Sequence, residues 1–443
     1  MIRVNKLLVG AVDLVLYMGS FFLAFYLKFG PSLPEYNLHD LMAMLPWFAV
    51  TFIVLAAVYN IYSRYEKYDD IVLSLICIVF LSLMINIALS FAFRQFAIPR
   101  TIFAISAALQ MVLLAAWRRL VWLQGWLVGP KLNGAIIGYP AEIKEVLGSI
   151  NQALGKALEV TYIIKLNGKD NFDYAWARFL SSQTEREEIS AVIICAGVGE
   201  QEKDVILDYC IRTNKLTMMV PTPRDILLQR SRLVSAGDVP LIQMGGIVGR
   251  AGPDLVKRSC DIALSAASLI ILAPIILLIS VIIKMDSPGP VFYSQARVGL
   301  NGKVFRVHKF RTMRQDAEKN TGPVLSGEDD PRVTRVGRFL RKTRLDEIPQ
   351  LWNVLVGDMS MVGPRPERPY FVEQYTRELP QFEYRHKIEC GLTGLAQVEG
   401  KYSTQPGDKL CYDLIYAQNR STLLDLIIIL RTVKVLLQKG KAS

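Results

Sequence analysis

The amino-acid sequence predicts an integral membrane protein of mixed class. The expected order is four transmembrane α-helices, an α/β Rossmann-like domain, and then a re-entrant membrane helix followed by an α+β domain. Three observations lead to this expectation. Apolar residues make up 51% of the 443 residues and mean hydropathy is +0.28, more than a soluble protein of this size needs. These residues are concentrated in long runs. Elsewhere in the chain, strand and helix patterns alternate.

The net charge of +11 limits the possible partners, and most of the basic excess lies after residue 250. A basic surface suits nucleic acid, anionic lipid or phosphorylated substrates, and charge alone does not choose among them. The six cysteines are scattered without any C-x-x-C pair. This spacing argues against a disulfide framework or a zinc site, and it fits a reducing compartment.

The first predicted domain, residues 1–128, contains four long apolar runs. They cover residues 7–29, 41–62, 71–93 and 101–123. Each run has about the 20 residues that a bilayer core requires. Lys and Arg collect on the side of the N-terminus, so the positive-inside rule places that end in the cytoplasm. Asp13 lies within the first run. It is either a functional intramembrane acid or a helix-packing or snorkelling residue, and we favour the second interpretation.

The second predicted domain, residues 129–250, alternates short apolar strands with helical patterns. Such alternation predicts a parallel sheet. The first strand ends in Gly138-Tyr139-Pro140, where a dinucleotide site needs a glycine-rich loop. Pro140 lacks the N–H group that would face a pyrophosphate. We therefore expect a Rossmann-like domain without an intact dinucleotide motif, in a structural or regulatory role.

The third predicted domain, residues 251–443, begins with a fifth apolar run, expected as a helix over 258–284. Pro274 near its middle removes one helix hydrogen bond and kinks the helix. One interpretation is an ordinary fifth span that tolerates a proline. The other is a re-entrant helix that enters and leaves by the same face. Basic residues at both ends of the run favour the re-entrant interpretation.

Four short segments after this run carry the chemistry of the chain. They are KFRTM at 309–313, RKTRLDEIPQLW at 341–352, GDMSMVGPRP at 357–366 and GLTGLAQV at 391–398. In this order, after a proline-broken apolar helix, they resemble the monotopic polyprenyl-phosphate phosphoglycosyl transferases of bacteria. The resemblance covers about 254–443. The N-terminal parts are similar to those of the family's larger members, which begin exopolysaccharide, capsule or O-antigen assembly.

The resemblance implies a reaction and a set of site residues. A hexose-1-phosphate moves from a UDP-sugar to undecaprenyl phosphate, and UMP is released. Asp346 is the implied nucleophile, and Glu347 is the implied ligand of Mg²⁺, the cofactor. The residues implied to bind substrate phosphates are Lys309, Arg311, Arg341 and Arg365. Those implied to bind the nucleotide are Gly391, Thr393, Gly394 and Gln397. Two further residues, Asp425 and Lys401, are implied in support, and Asp425 is alternatively a structural partner of an arginine.

The residue types themselves suit this chemistry. The two acids follow a basic window, residues 332–344, and we expect the neighbouring cations to keep Asp346 ionised. Arginines recur there every three residues, so they cannot all face one helix side. We assign Arg341 to substrate phosphate and the earlier ones to lipid headgroups. Arg365 lies between two prolines, whose restricted backbone suits a bidentate phosphate clamp.

The expected partners are a UDP-sugar, undecaprenyl phosphate, the lipid bilayer and a second copy of the chain, without nucleic acid. The expected location is the bacterial inner membrane, with the catalytic domain on the cytoplasmic face. One rival hypothesis is a membrane-anchored nucleotide-sugar dehydratase or epimerase. None of the 18 tyrosines is followed four residues later by lysine, so the pair needed for that chemistry is missing. The other rival is a catalytically inactive membrane scaffold.

Overall fold

The computed structural model describes most of the chain. The described residues are 6–31, 34–63, 67–93, 98–125, 131–154, 157–166, 172–182, 189–236, 238–247, 255–314, 330–400 and 405–438. The chain divides into two compact units, Met1–Val220 and Pro221–Ser443.

The first unit begins with four long helices. They are α1 (Lys6–Phe29), α2 (Glu35–Val58), α3 (Tyr68–Ala92) and α4 (Arg100–Gln124). Among the described residues, five helices are long and apolar enough to cross a membrane: these four and α9 (Leu255–Asp286). The apolar helices near the N-terminus therefore fit a membrane protein, as the sequence indicated. The exact number of crossings stays a prediction.

Charged and polar side chains are buried where these four helices pack. Arg118 on α4 donates to Asp13 on α1 at 2.5 Å, and each side chain is only 1% exposed. Asn86 on α3 donates to the hydroxyl of Tyr17 on α1 at 2.8 Å. Ionisable groups inside an apolar bundle are stable when they pair with one another. Asp13 thus lies at a helix contact, and Arg118 is its partner.

A four-stranded parallel sheet follows in the same unit. Its strands are β1 (Leu132–Gly138), β2 (Leu158–Lys165), β3 (Ala191–Ile194) and β4 (Leu216–Met219), in the order β2-β1-β3-β4. The connecting helices are α5 (Pro140–Leu154), α6 (Phe172–Ser182) and α7 (Glu200–Arg212). Apolar side chains cover both faces of the sheet, as parallel strands require. The predicted alternation of strand and helix is present, while the Rossmann-like designation stays a prediction.

A carboxylate lies at the carboxyl ends of β1 and β3, the edge where open α/β sheets usually bind ligands. Glu142, in the first turn of α5, accepts a hydrogen bond from the Gly197 N–H at 3.0 Å. A Cβ added at Gly197 would lie only 2.7 Å from the Glu142 Oε1 atom, so the carboxylate packs closely against the loop after β3. Glu142 therefore occupies part of this edge, and the expectation that the domain binds no dinucleotide stays a prediction.

The second unit starts with elements that precede the predicted boundary at residue 250. They are α8 (Pro223–Leu228) and an antiparallel hairpin of β5 (Arg232–Ala236) and β6 (Val239–Gln243). Ile226 on α8 is buried against Phe382 and Leu410. Residues directly after Val220 therefore share a core with the C-terminal part, and the boundary at 250 stays a prediction.

Helix α9 carries the fifth apolar run, with Pro274 in its interior. Three charged residues in its first two turns contact the rest of the unit. Arg258 donates to the carbonyls of Val354 at 2.7 Å and Leu355 at 2.8 Å. Asp261 accepts from the Met361 N–H at 3.1 Å. The third is Lys257, which is described with the site. The re-entrant course of α9 stays a prediction.

The remaining elements surround the predicted site. The strands are β7 (Phe292–Val298), β8 (Val304–Phe310), β9 (Ser360–Val362) and β10 (Gly391–Thr393). The helices are α10 (Arg335–Lys342), α11 (Gln350–Val356), α12 (Pro369–Glu378), α13 (Leu395–Glu399), α14 (Pro406–Asn419) and α15 (Thr422–Leu437). Strands β7 and β8 form an antiparallel pair, and β9 and β10 form a parallel pair. These short elements bring the four motif segments together.

Candidate active site

The two predicted carboxylates lie in a tight 3₁₀ turn, Leu345–Glu347, between α10 and α11. Arg344 enters this turn in the left-handed region, with φ of 58°. For a residue with a Cβ this conformation costs about 1–2 kcal/mol, and such strain clusters at functional sites. Asp346 is 7% exposed. The turn therefore holds a buried acid at a sharply defined position.

Three cationic side chains lie close to the carboxylate of Glu347. Its Oε1 atom accepts from the Nζ of Lys309 on β8 at 2.8 Å. Arg365 donates to both of its carboxylate oxygens, through Nη1 to Oε2 at 3.2 Å and through Nη2 to Oε1. The Nη1 atom of Arg344 lies 3.9 Å from Oε2. Lys309 and Arg365, which are 38 and 18 positions from Glu347, thus meet Arg344 at one carboxylate.

The two neighbouring acids differ in their electrostatics. Burial alone would raise the pKa of Glu347, but Arg365 and Lys309 outweigh burial and hold that pKa well below its usual range. Burial and the adjacent charge of Glu347 raise the pKa of Asp346, and Lys309, Arg365 and Arg341 only partly oppose this. The sequence argument expected cations to dominate at Asp346. In the structure they lie against Glu347, so the acid expected to attack is the more basic of the two.

Arg365 follows β9 in a loop that is held by backbone contacts. The Gly363 N–H donates to the Thr393 carbonyl at 2.9 Å, and the Gly391 N–H donates to the Pro364 carbonyl at 2.9 Å. A Cβ on Gly391 would lie 2.0 Å from the Gly363 backbone, so only glycine fits there. The guanidinium of Arg385, 4% exposed, donates to the Arg365 carbonyl at 3.0 Å.

The predicted nucleotide loop therefore packs directly on the loop of Arg365. A Cβ on Gly394 would lie 2.2 Å from the Gly363 carbonyl oxygen. The Thr393 hydroxyl contacts the Thr432 hydroxyl at 2.7 Å. Gln397 donates to the Leu392 carbonyl at 3.3 Å, and its Oε1 atom is buried without a hydrogen-bond partner. These glycines serve close backbone packing, and the role of the loop in nucleotide binding stays a prediction.

The two remaining predicted phosphate ligands differ in their surroundings. Arg341 on α10 donates through Nε to the Thr312 hydroxyl at 2.9 Å, and its charge acts on Asp346. Arg311 is 7% exposed and donates to the carbonyls of Pro288 at 2.9 Å and Ser287 at 2.7 Å. Its guanidinium therefore faces the segment after α9. This geometry favours a structural role for Arg311 over the predicted contact with phosphate.

Asp425 at the start of α15 is the centre of a buried network. It accepts from Lys257 on α9 at 2.6 Å and from the Tyr416 hydroxyl at 2.7 Å. Lys257 and Tyr416 also reach the Val362 carbonyl, at 3.2 Å and 3.0 Å. The structural partner of Asp425 is thus a lysine, where an arginine was the alternative considered. Lys401 lies outside the described residues.

Sequence reasoning treated Lys257 only as a basic flank of the apolar run, and it did not single out Tyr416 or Arg385. A weak signal existed for Lys257, because it and Asp261 are four residues apart at the start of an apolar helix and so share one face. Arg385 pairs with Asp413 at 2.9 Å, and both side chains are almost fully buried. Neither residue lies in the four motif segments, so no local pattern indicated this pair.

No group of three or more His, Cys, Asp or Glu side chains that could hold a metal occurs in the part of the chain that the structure describes. The adjacent carboxylates of Asp346 and Glu347 nevertheless fit Mg²⁺ in one respect. Magnesium is commonly held by one or two carboxylates, with substrate phosphates and water completing its shell. Both oxygens of Glu347 already accept from Lys309 or Arg365, and Mg²⁺ at these carboxylates stays a prediction.

Residues 253–439 match the family described as bacterial sugar transferase. A Rhizobium leguminosarum protein named exopolysaccharide production protein PSS is 42% identical over 42% of this chain and 98% of its own length. A UDP-N-acetylgalactosamine-undecaprenyl-phosphate N-acetylgalactosaminephosphotransferase of Aeromonas hydrophila is 41% identical over 44% of this chain. A UDP-glucose:undecaprenyl-phosphate glucose-1-phosphate transferase of Escherichia coli is 37% identical over 49% of it.

Both of the latter matches cover 47% of the relative, so the chain matches about half the length of these two proteins. The Rhizobium protein, by contrast, is covered almost completely. All three matches involve fewer than half of the residues of this chain. The residues that match the family include both carboxylates and the cations around them. The chain belongs to the bacterial sugar transferase family.

Proposed function

We propose that this protein transfers a hexose-1-phosphate from a UDP-sugar to undecaprenyl phosphate, giving undecaprenyl-diphosphate-sugar and UMP. This would be the first membrane step of exopolysaccharide, capsule or O-antigen synthesis. The observation that carries the proposal is the buried turn of Asp346 and Glu347 beside Lys309 and Arg365. The names of the relatives support undecaprenyl phosphate as the acceptor.

The reaction proceeds in two displacements at the same phosphorus atom. A carboxylate oxygen of Asp346 attacks the phosphorus that bears the sugar, and the bond to the UMP oxygen breaks. A phosphate oxygen of the lipid then attacks the acyl phosphate and frees Asp346. The two anionic substrates visit one after the other, so their mutual repulsion is avoided. Lys309 and Arg365 lie where they can stabilise the charge on the transferred phosphoryl group.

The raised pKa of Asp346 suits this role, because a more basic carboxylate is a better nucleophile once it is ionised. Glu347, whose pKa is lowered, stays ionised and holds the two cations. Glu347 would also hold Mg²⁺ together with the donor diphosphate. The ion supplies charge neutralisation for the leaving UMP when it is bound. Chelation of Mg²⁺ should therefore abolish turnover.

The decisive experiment supplies the full chain with UDP-sugar and no lipid. The wild type should release about one UMP per active site, and the peptide with Asp346 should gain the mass of the phosphosugar, as a covalent mechanism requires. Asp346→Asn keeps the size of the side chain and should lower turnover by several orders of magnitude. Near-normal turnover of Asp346→Asn, or an adduct on Glu347, would contradict these roles. Absence of UMP release from the wild type would favour the inactive scaffold.

The identity of the donor sugar needs a separate experiment. The names of two relatives contain different sugars, N-acetylgalactosamine and glucose. A panel of UDP-sugars offered with undecaprenyl phosphate therefore identifies the donor by its kcat/KM. Glucose and galactose are the first candidates.

We further propose that α9 is re-entrant and that the catalytic unit lies on the cytoplasmic face. Pro274 and the basic residues at both ends of the apolar run support this course. Lys131→Cys and Leu300→Cys place one thiol before α9 and one after it. In intact cells of a variant without native cysteines, both thiols should resist a membrane-impermeant reagent. Labelling at position 300 alone would mean that α9 spans the membrane.

A further inference from the structure

The side-chain amide of Asn353 connects α11 to strand β8. Its Oδ1 atom accepts from the His308 N–H at 3.0 Å, and its Nδ2 atom donates to the Arg306 carbonyl at 2.7 Å. Asn353 is fully buried. Strand β8 pairs only with β7 among the described strands, so its other edge is open. The amide satisfies that edge as the peptide group of a neighbouring strand would.

The next residue of β8 is Lys309, the lysine that contacts Glu347. Asn353 lies on the helix that follows the carboxylate turn, only six residues after Glu347. One amide therefore joins the strand that carries the ammonium to the helix that continues from the carboxylate. If these two hydrogen bonds are lost, only apolar packing holds β8 against α11 at this point, and the 2.8 Å contact of Lys309 with Glu347 should lengthen.

The main-chain carbonyl of Asn353 also contacts the turn that leads to Arg365, the third segment of the site. Its carbonyl accepts from the N–H groups of Gly357 at 3.1 Å, Asp358 at 3.0 Å and Met359 at 3.3 Å. This turn leads into β9 and on to Arg365. The side chain also donates to Asp358 Oδ2 at 3.3 Å, which orients the amide. Asn353 thus lies where the segments that carry the lysine, the carboxylates and the arginine meet.

We propose that Asn353 is a positioning residue that sets Lys309 against the carboxylate turn during the transfer. This inference rests on the proposed function, because the group that it positions acts on the transferred phosphate. Asn353 itself touches no reacting atom. Its effect should therefore depend on the presence of Lys309, which distinguishes positioning from a general contribution to folding.

The test is a double-mutant cycle of Asn353→Ala and Lys309→Met, measured as UMP release by the full chain. Asn353→Ala should lower kcat about 100-fold, the scale expected for a misplacement near 1 Å, and leave the KM for UDP-sugar nearly unchanged. In the Lys309→Met background the same change should have little further effect, because the group that it positions is already gone. Additive losses would overturn the inference.

The matched control is Val354→Ala, the next residue of α11. Val354 is fully buried and packs against Val307 of β8, but it makes no side-chain hydrogen bond. The decrease in kcat that Val354→Ala causes should be small and should add to the decrease that Lys309→Met causes. If Val354→Ala is coupled to Lys309→Met as strongly as Asn353→Ala is, then helix packing, and not the amide, positions Lys309.

A second pair of variants tests the amide in a chain of nearly unchanged shape. Asn353→Asp removes the donor to Arg306 and places a carboxylate beside Asp358, so activity should fall. Adding Asp358→Asn removes that repulsion and supplies a new donor, so part of the lost kcat should return. No recovery would contradict the inference. An inactive wild type would instead contradict the proposed function, so the two failures are distinguishable.

Discussion

Removal of the Asp425 carboxylate tests whether the buried network beneath the loop of Arg365 stabilises the second unit. In the structure Lys257 and Asp425 are 2.6 Å apart, with side chains only 4% and 11% exposed. Asp425→Ala removes the carboxylate that the buried ammonium of Lys257 contacts. Breaking a buried pair in this way costs about 3–5 kcal/mol. For a unit of this size, 1 kcal/mol shifts Tm by about 2–4 °C, so we expect Tm to fall by roughly 6–20 °C.

The assay is thermal unfolding of the full chain in lipid nanodiscs, with an exposed ion pair as the control. Glu389 pairs with Arg420 at 2.9 Å but is 39% exposed, so Glu389→Ala should cost about 1 kcal/mol or less. The double variant Lys257→Met with Asp425→Ala should recover part of the lost stability, because both members of the buried pair are then absent. If Asp425→Ala unfolds at the same temperature as Glu389→Ala, the reasoning from burial is refuted.

Further predictions concern the pH dependence of the site, the role of Arg311 and the sheet of the first unit. Because the pKa of Asp346 is raised, activity should decline on acidification with a midpoint above the ordinary aspartate value of about 4. Lys309 lowers that pKa, so Lys309→Met should move the acidic limb of the pH–rate profile to higher pH. Arg311→Met should cost about 1–3 kcal/mol in thermal unfolding without altering the KM for UDP-sugar, and a large rise in KM would restore its predicted phosphate role. The full chain should show no saturable NAD binding at millimolar levels in calorimetry, since Glu142 lies at that edge of the sheet, and micromolar affinity would contradict this.

Local patterns in the sequence predicted the elements better than they predicted the contacts. The parallel sheet was predicted from alternating strand and helix patterns. Each pattern is a periodic spacing of apolar residues, which depends only on residues that are close in the sequence. Lys309 and Arg311 are two residues apart and would share a face if the strand continued. Strand β8 ends at Phe310, so Arg311 turns towards the segment after α9, and the two motif residues separate.

Contacts between distant segments were less accessible to sequence reasoning. The partner of Asp425 is a lysine 168 positions earlier, at the start of an apolar helix, and no local pattern links residues so far apart. The three-dimensional placement of side chains also decides which of the two adjacent acids the cations contact. The basic residues before Asp346 predicted a positive electrostatic potential around both acids. Only the structure shows that Lys309 and Arg365 contact Glu347.

The charged first turns of α9 have a mechanical consequence. Arg258 donates to the carbonyls of Val354 and Leu355 near the end of α11, and α11 follows the carboxylate turn closely in sequence. We therefore expect a displacement of α9 along its own axis to be passed on to the turn of Asp346 and Glu347. With α9 embedded as proposed, the height of these carboxylates above the headgroups should depend on how the apolar length of α9 matches the thickness of the bilayer. Under the proposed function, the chain length of the surrounding lipids should then influence whether the acceptor phosphate reaches the site.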